Sequence, residues 1–329
     1  MKKIFITGGA GYIGSHSVIS LIENGFEPII LDNFSNSSAD VIKKLEIITK
    51  KKIIFYNLDI RNKKKLNAIF KKHLCYCVIH FAGFKAVAES SEKPLLYFDN
   101  NIGSALSLLE CMQNNKIFKL IFSSSATVYN SNQPLPLKES SKIGETKNPY
   151  GTSKFIIERI LMDLAKSDKR WSIRIARYFN PISNHRSGLV KENPKGNPNN
   201  LMPMIVKVAQ KKIPYLKVFG KNYPTKNGTC IRDYIHVMDL ADGHVAILKK
   251  RFANGLKVFN FGTGIGYSVI EIIKAFEKQV GIKIPFKYKK RRQGDQAISL
   301  CYTKKTFKSL QWKTKYNLVQ AIIDIKKTF

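Results

Sequence analysis

A short apolar run that meets glycines spaced three apart and then turns helical leaves a chain few folds to choose from. Ile4-Phe5-Ile6-Thr7-Gly8-Gly9-Ala10-Gly11-Tyr12-Ile13-Gly14 has that form. Gly8, Gly11 and Gly14 permit a tight turn and let backbone N–H groups and the positive helix end approach a pyrophosphate. A glycine turn by itself is often just a turn. Here the strand before it, the amphipathic helix after it and Asp32, 18 residues past Gly14, supply the context of a dinucleotide site. A carboxylate at that place accepts from adenosine ribose hydroxyls and repels a 2′-phosphate, so NAD is favoured over NADP.

The first 180 residues alternate β-branched apolar runs with helical patterns, the signature of an α/β fold with a Rossmann-type doubly wound parallel sheet. The expected strands are Lys3–Thr7, Pro28–Leu31, Ile53–Asn57, Cys77–Phe81, Lys119–Ser123 and Ser172–Tyr178. The expected helices are Tyr12–Asn24, Lys63–Lys72, Pro94–Asn114 and Tyr150–Lys166. After Asn180-Pro181 the chain turns rich in Pro, Asn and Gly through Asn200. We place a domain change there: an NAD-binding domain over residues 1–180 and a smaller α/β substrate domain over 181–329. Val258-Phe259-Asn260-Phe261 reads as a buried strand that returns to the first sheet, which makes the smaller domain discontinuous.

With 329 residues, 44% of them hydrophobic, the chain can fill a substantial core and is no disordered basic tail. No apolar run approaches the ~20 residues that span a bilayer, and Gly8 follows too closely on the N-terminal apolar residues for a secretory signal. A soluble, cytoplasmic protein is expected. Its five cysteines form no CxxC pair and read as small buried hydrophobes. The net charge of +33 would suit a nucleic-acid binder. The cations, however, lie in short separate clusters and number 46 lysines to 10 arginines, whereas base readout favours the planar arginine fork. Drift in coding composition accounts for such a surplus more simply.

Tyr150 and Lys154 stand at i and i+4, on one face of an expected helix. Of 14 tyrosines, this is the one followed by Lys at that spacing, where chance gives about two. Its position, opening the helix after a strand that ends in Ser123-Ser124-Ser125, gives it meaning. A free phenol has a pKa of about 10, so about one in a thousand is ionised at neutral pH. A neighbouring ammonium and a nicotinamide cation both favour the phenolate, which can then take a proton from a sugar hydroxyl while hydride leaves the same carbon. Ser125 or Thr127 can share or relay that proton.

Together, Thr7 to His16, Leu31-Asp32-Asn33, His80-Phe81-Ala82-Gly83-Phe84-Lys85-Ala86-Val87, Ser123 to Tyr129 and the Tyr150/Lys154 pair resemble the extended short-chain dehydrogenases. Arg177-Tyr178-Phe179-Asn180-Pro181, Asn199-Asn200-Leu201-Met202-Pro203 and Arg232-Asp233-Tyr234-Ile235-His236-Val237-Met238-Asp239 narrow the resemblance to the UDP-glucose 4-epimerase family. The resemblance implies a tightly held NAD, reduced and reoxidised within each turnover. Tyr150, assisted by Ser125, would deprotonate the C4 hydroxyl of a UDP-hexose. The 4-keto sugar would turn over and take hydride back on its other face. Lys154 would hold the nicotinamide ribose and keep Tyr150 acidic.

The same resemblance assigns contacts. Gly8, Gly11, Tyr12, Ile13, Gly14, Asp32, Asn33, Asp59, Ile60, Phe81, Ala82, Gly83, Lys85, Asn100 and Phe179 would meet NAD, together with Ser125, Tyr150 and Lys154. Asn180, Asn200, Leu201, Lys217, Val218, Phe219, Arg232, Arg292, Asp295 and Ser299 would hold the UDP-sugar. Two phosphates call for fork-shaped cations, which suits Arg232 and Arg292. Two departures stand out. Asn130 replaces a glycine usual after Val-Tyr, and Ser299 stands where many members restricted to unacetylated sugars carry a bulky Tyr, which would admit an N-acetyl group at C2. The family also implies a homodimer built on Pro94–Asn114 and Tyr150–Lys166. A sugar-nucleotide 4,6-dehydratase would share the fold and the Tyr/Lys pair, but needs an Asp-Glu after a Thr in the strand-end motif. This chain has Ala126-Thr127 there. A net sugar oxidoreductase would also fit the fold, and a basic nucleic-acid binder on a dinucleotide scaffold would fit the charge.

Overall fold

The computed structural model describes residues 1–193, 195, 200–292 and 294–329. Asn199, part of one motif above, lies outside the described residues. In chain order the elements are β1 (Lys3–Thr7), α1 (Tyr12–Glu23), β2 (Glu27–Asp32), α2 (Asp40–Thr49), β3 (Ile54–Asn57), α3 (Lys63–Lys72), β4 (Cys75–His80), α4 (Val87–Glu92), α5 (Pro94–Phe98), α6 (Ser104–Asn114), β5 (Lys119–Ser125), α7 (Pro149–Ser167) and β6 (Ser172–Tyr178). There follow β7 (Asn180–Ile182), α8 (Leu201–Ala209), β8 (Leu216–Phe219), β9 (Ile231–His236), α9 (Val237–Lys249), β10 (Gly255–Phe261), β11 (Gly266–Ser268), α10 (Val269–Val280), β12 (Phe286–Lys289), β13 (Ile298–Ser299), α11 (Lys304–Leu310) and α12 (Leu318–Lys326).

Seven parallel strands in the order β10-β6-β5-β4-β1-β2-β3 form the main sheet. The order reverses beside β1, where open α/β sheets bind ligands at the carboxyl ends of their strands. Helices cover both faces, because a buried parallel strand is apolar on both. Ile4 and Ile6 of β1 join a core with α1, α2 and α9, while Phe5 between them joins one with α3, α6 and α7. That is the period of two expected of a strand. β10 pairs with β6 along its whole length, from Gly255↔Ser172 to Phe261↔Tyr178, as the run Val258–Phe261 suggested.

The remaining strands make a four-stranded sheet, in which β9 pairs with β7, β11 and β13, and a parallel pair, β8 with β12. A third core, with Ile205, Val218, Ile273, Phe276 and Ile322, joins these to α8, α10 and α12.

Helix α2 is not among the expected helices. It has no side-chain cap, and the serines before it read as loop, although Ile42 and Leu45 bury one face. The single helix expected over Pro94–Asn114 is interrupted by a π-turn at Asp99–Gly103. That turn buries Asn101, whose side chain accepts from Phe84 N (2.8 Å) and donates to Phe84 O (3.1 Å) and Ser153 Oγ (2.9 Å). Asn101 thereby ties the loop after β4 to α7, a pinning role that no motif signals.

Candidate active site

The glycines set the cradle. A Cβ on Gly14 would lie 2.2 Å from Gly8 O, and Gly8, at φ +68°, sits against the backbone of Ala82. Only chains without side chains there can bring helix α1 onto the turn this closely. The Gly11 N-cap supplies no side-chain cap to α1, and the first turn holds no acid. Its N–H groups are free to meet an anion.

Asp32 ends β2 almost buried. It accepts from Ala10 N (2.9 Å), Phe34 N (2.8 Å) and Ser37 Oγ (3.1 Å), yet burial still pushes its carboxyl up from the ordinary value. Asp59 is tied by Arg61, whose Nη2 lies 2.7 Å from Oδ2, and is pushed down by it. Asn33 Nδ2 reaches the same oxygen at 3.4 Å. Phe81 and Ala82 donate backbone N–H to Thr7 O, which brings the loop after β4, with Gly83 and Lys85, beside the glycine turn. Asn100 lies in the π-turn and donates to Asn101 Oδ1 at 3.1 Å. The glycine cradle, the uncapped helix start and the buried acid fit a dinucleotide.

Helix α7 begins where Asn148 Oδ1 accepts from Gly151 N at 2.8 Å and Pro149 fills the first turn. Gly151 lets that turn approach Thr127 O. Tyr150 follows in that first turn, and the Ser125 hydroxyl favours its phenolate. Ser125 Oγ accepts from Thr127 Oγ1 at 3.0 Å. Asn130 acts in the same region by accepting from Glu145 N at 2.9 Å, fixing the segment that leads into α7.

One expectation needs correction. Burial raises the Tyr150 phenol above its ordinary value, with the Ser125 hydroxyl opposing. Lys154 Nζ instead donates to Ser123 O at 2.8 Å and lies 5.0 Å from the Phe122 ring centre. Desolvation lowers it to about 8. The two side chains share a helix face, but in this chain alone the ammonium is engaged with the end of β5.

On the smaller sheet, Arg232 and Ser299 are register partners across β9 and β13. Asp295 gathers both arginines: Arg232 Nη2 lies 3.8 Å from Oδ1 and Arg292 Nε 3.0 Å from Oδ2. Arg292 also covers the Phe219 ring at 4.9 Å. Lys217 is exposed on β8, on the strand face opposite buried Val218. Asn180 opens β7 and Leu201 opens α8. The side chains of Ile60, Phe179 and Val218 are buried in apolar clusters, which leaves their backbone as the part able to reach a ligand.

A residue no motif pointed to joins the two halves of the site. Glu192 Oε1 accepts from Lys85 Nζ at 2.7 Å and from Asn200 Nδ2 at 2.6 Å. A lone acid in a Pro/Asn-rich stretch carries no periodic or spacing signal.

A doubly wound sheet with this cradle, acid and Tyr/Ser/Lys group at its carboxyl edge defines an enzyme that works with a bound dinucleotide. The chain belongs to the NAD dependent epimerase/dehydratase family, which matches residues 4–262. It is 49% identical to the UDP-glucose 4-epimerase of Neisseria meningitidis serogroup C over 325 residues, 98% of this chain and 96% of that one. The structure of the Bifidobacterium longum UDP-glucose 4-epimerase in complex with NAD+ and UDP superposes with a TM-score of 0.97 at 44% identity, covering 99% of this chain and 98% of that one. The UDP-Glc/GlcNAc 4-epimerase of Campylobacter jejuni is similar too, with a TM-score of 0.83 at 32% identity over 100% of this chain and 98% of that one.

Proposed function

We propose that the protein interconverts UDP-glucose and UDP-galactose by epimerisation at C4, with NAD as its cofactor. The observation that carries this reading is the placing of Tyr150 at the start of α7 by the carboxyl edge of the sheet, where the Ser125 hydroxyl favours its phenolate, with Lys154 one turn along and the Arg232/Arg292 pair on the smaller sheet. NAD, when bound, supplies a hydride acceptor and donor and a positive nicotinamide ring that favours a phenolate. Tyr150 takes the proton of the C4 hydroxyl and later returns it, and Ser125 orients that hydroxyl. Lys154 and Asp32 hold the two riboses of the cofactor, and the glycine turn with Lys85 holds its phosphates. Arg232 and Arg292 hold the diphosphate of the UDP-sugar, with Asn180, Asn200 and Asp295 beside it. Residues 1–180 with β10 serve the cofactor, and the rest serves the sugar nucleotide.

A single incubation tests this. Purified protein given UDP-galactose without added NAD should yield UDP-glucose until both are present at equilibrium, without free NADH. Accumulation of NADH or of a dehydrated sugar would point to an oxidoreductase or a dehydratase instead.

A second reading concerns the sugar. Ser299 is small and stands in register with Arg232, which leaves room for an N-acetyl group at C2. The likeness to a UDP-Glc/GlcNAc 4-epimerase supports the same extension to UDP-N-acetylglucosamine.

The assembly we propose is a homodimer through the Pro94–Asn114 region and α7. Leu95, Leu96 and Leu106 are exposed in that region, Leu95 by 81%, and exposed apolar side chains of this size suit a covered surface. Sedimentation equilibrium at micromolar concentration tests it. A cytoplasmic location accords with five free cysteines. Among the described residues, no helix is long and apolar enough to cross a membrane.

A further inference from the structure

On the same face of α7 as Tyr150 and Lys154, one further turn along, Glu158 is completely buried. Arg177 of β6 grips both of its oxygens, with Nε 2.9 Å from Oε1 and Nη2 2.6 Å from Oε2. Ser124 Oγ donates to Oε1 as well. Arg177 is 1% exposed, lies over the Tyr129 ring at 4.8 Å and donates to Glu139 O at 3.2 Å. Tyr129 in turn donates to Asn260 Oδ1 of β10 at 2.6 Å. The carboxylate therefore has a fixed place, one turn beyond Lys154 on the helix face that carries the reactive pair.

Stability alone does not ask for charge here. Desolvating a buried ion pair costs about what the pair returns, and apolar replacements of similar volume are often as stable. Lys154 gives the charge a purpose. It is 5% exposed, and an ammonium removed from water tends to lose its proton unless a negative charge lies near. Lys154 Nζ meets Ser123 O and the Phe122 ring on β5, His80 on β4 lies near enough to feel its charge, and Tyr150 stands one turn back on its own helix. Burial holds His80 neutral and the Tyr150 phenol protonated. Glu158, with the Arg177 cation paired to it, stands four residues on along the same helix, and the two side chains are fastened to neighbouring residues of β5, Lys154 to Ser123 O and Glu158 to Ser124 Oγ, so that the carboxylate favours the ammonium.

We propose that Glu158, clamped by Arg177 and Ser124, is a positioning residue whose fixed negative charge keeps Lys154 an ammonium while the enzyme works. The inference rests on the role given to Lys154 above. Without that charge, Lys154 would be neutral over part of the working pH range and would weaken its hold on ribose.

The test compares wild type with Glu158→Gln, which keeps the shape and an acceptor for Arg177 but drops the charge. In the holoenzyme, 13Cε-lysine NMR follows the Lys154 midpoint, which stands apart from those of surface lysines and is assigned with Lys154→Arg. The midpoint should fall by about one pH unit or more in the variant, and the alkaline limb of the turnover profile should fall with it. A midpoint and limb unchanged from wild type would overturn the proposal. Should Glu158→Gln not fold, Arg177→Gln keeps Glu158 and removes the opposing cation, so the midpoint should rise; a midpoint that stays or falls overturns the proposal. The NMR midpoint is read without turnover. A wild type that fails to epimerise would thus defeat the reading of Tyr150, while the midpoint still decides the role of Glu158.

Discussion

Lys85 Nζ lies 2.7 Å from Glu192 Oε1, and this contact joins the loop after β4 to the segment that follows β7. The same carboxylate oxygen holds Asn200 at 2.6 Å, so one acid orients a cofactor-side cation and a substrate-side amide. Glu192→Ala should free both. Lys85 is partly solvated, which limits the effect to about 1 kcal/mol, or roughly a five-fold rise in KM for the UDP-sugar with kcat little changed. Steady-state kinetics on the purified variant check this.

Tyr150→Phe removes one hydroxyl from a site whose packing the ring maintains. Turnover should fall by about 10²- to 10⁴-fold, the range for loss of a positioned proton donor, while bound NAD is retained. Single-turnover assays and acid extraction of the nucleotide measure both quantities. Near-normal turnover would remove Tyr150 from the mechanism.

Gly14→Ala should damage the cradle more than Gly11→Ala. The added Cβ meets Gly8 O at 2.2 Å in the first case, but its nearest neighbour stands at 3.2 Å in the second. An overpacked site typically costs about 1–3 kcal/mol. The Gly14 variant should purify with little nucleotide and melt several degrees lower, whereas the Gly11 variant should keep most of both. Thermal melting and extracted NAD, with NADP as the control, decide it.

Acid should destabilise the protein early. Burial pushes His16, His80 and His244 down to about 3, so they stay neutral in the folded state while an unfolded chain takes up protons below pH 6.5. Their contribution is present above that pH and lost as pH falls toward the folded values. Each group can cost up to about 1.4 kcal/mol per pH unit over this range. Asp239, raised by burial to about 6, acts in the opposite sense, as do Asp32 and Asp233, whereas His236, lowered to about 4, adds to the three histidines. The urea midpoint should therefore drop between pH 7 and pH 5, and His80→Asn should shrink that drop.

Ser299→Tyr should spare UDP-galactose and abolish turnover of UDP-N-acetylglucosamine, if wild type turns the acetylated sugar over as proposed. Product separation after parallel incubations tests both halves. Wild type inert toward the acetylated sugar sinks the extension.

Much of the main sheet was legible because its signals are local. β1, β6 and α3 begin and end where the apolar period says they should. Gly8, Gly14, Asp32 and Tyr150 stand at fixed offsets from strand ends, so their chemistry can be read along the chain. Helix α2 and the π-turn at Asp99–Gly103 were not legible, since neither has a cap nor a composition that marks it. Glu192 and Asn101 escaped for a related reason, since they act on partners distant in the chain through contacts that no spacing rule encodes. Glu158 stands at i+4 from Lys154, but the Arg177 and Ser124 clamp that fixes it comes from strands far along the chain.

The sequence by itself determined the alternation of strand and helix, the nucleotide cradle and the residue types that can move a proton at C4. Hydrophobic period and glycine stereochemistry are properties of neighbouring residues, and the chain carries them openly. The tertiary structure decided the charge and aim of those residues. It raised the Tyr150 phenol by burial, turned Lys154 onto Ser123 O and set a clamped carboxylate one turn further along the same helix face. The +33 of the whole chain says little about any of this, because a pKa answers to the few charges and dipoles within several ångströms and to the water excluded around them.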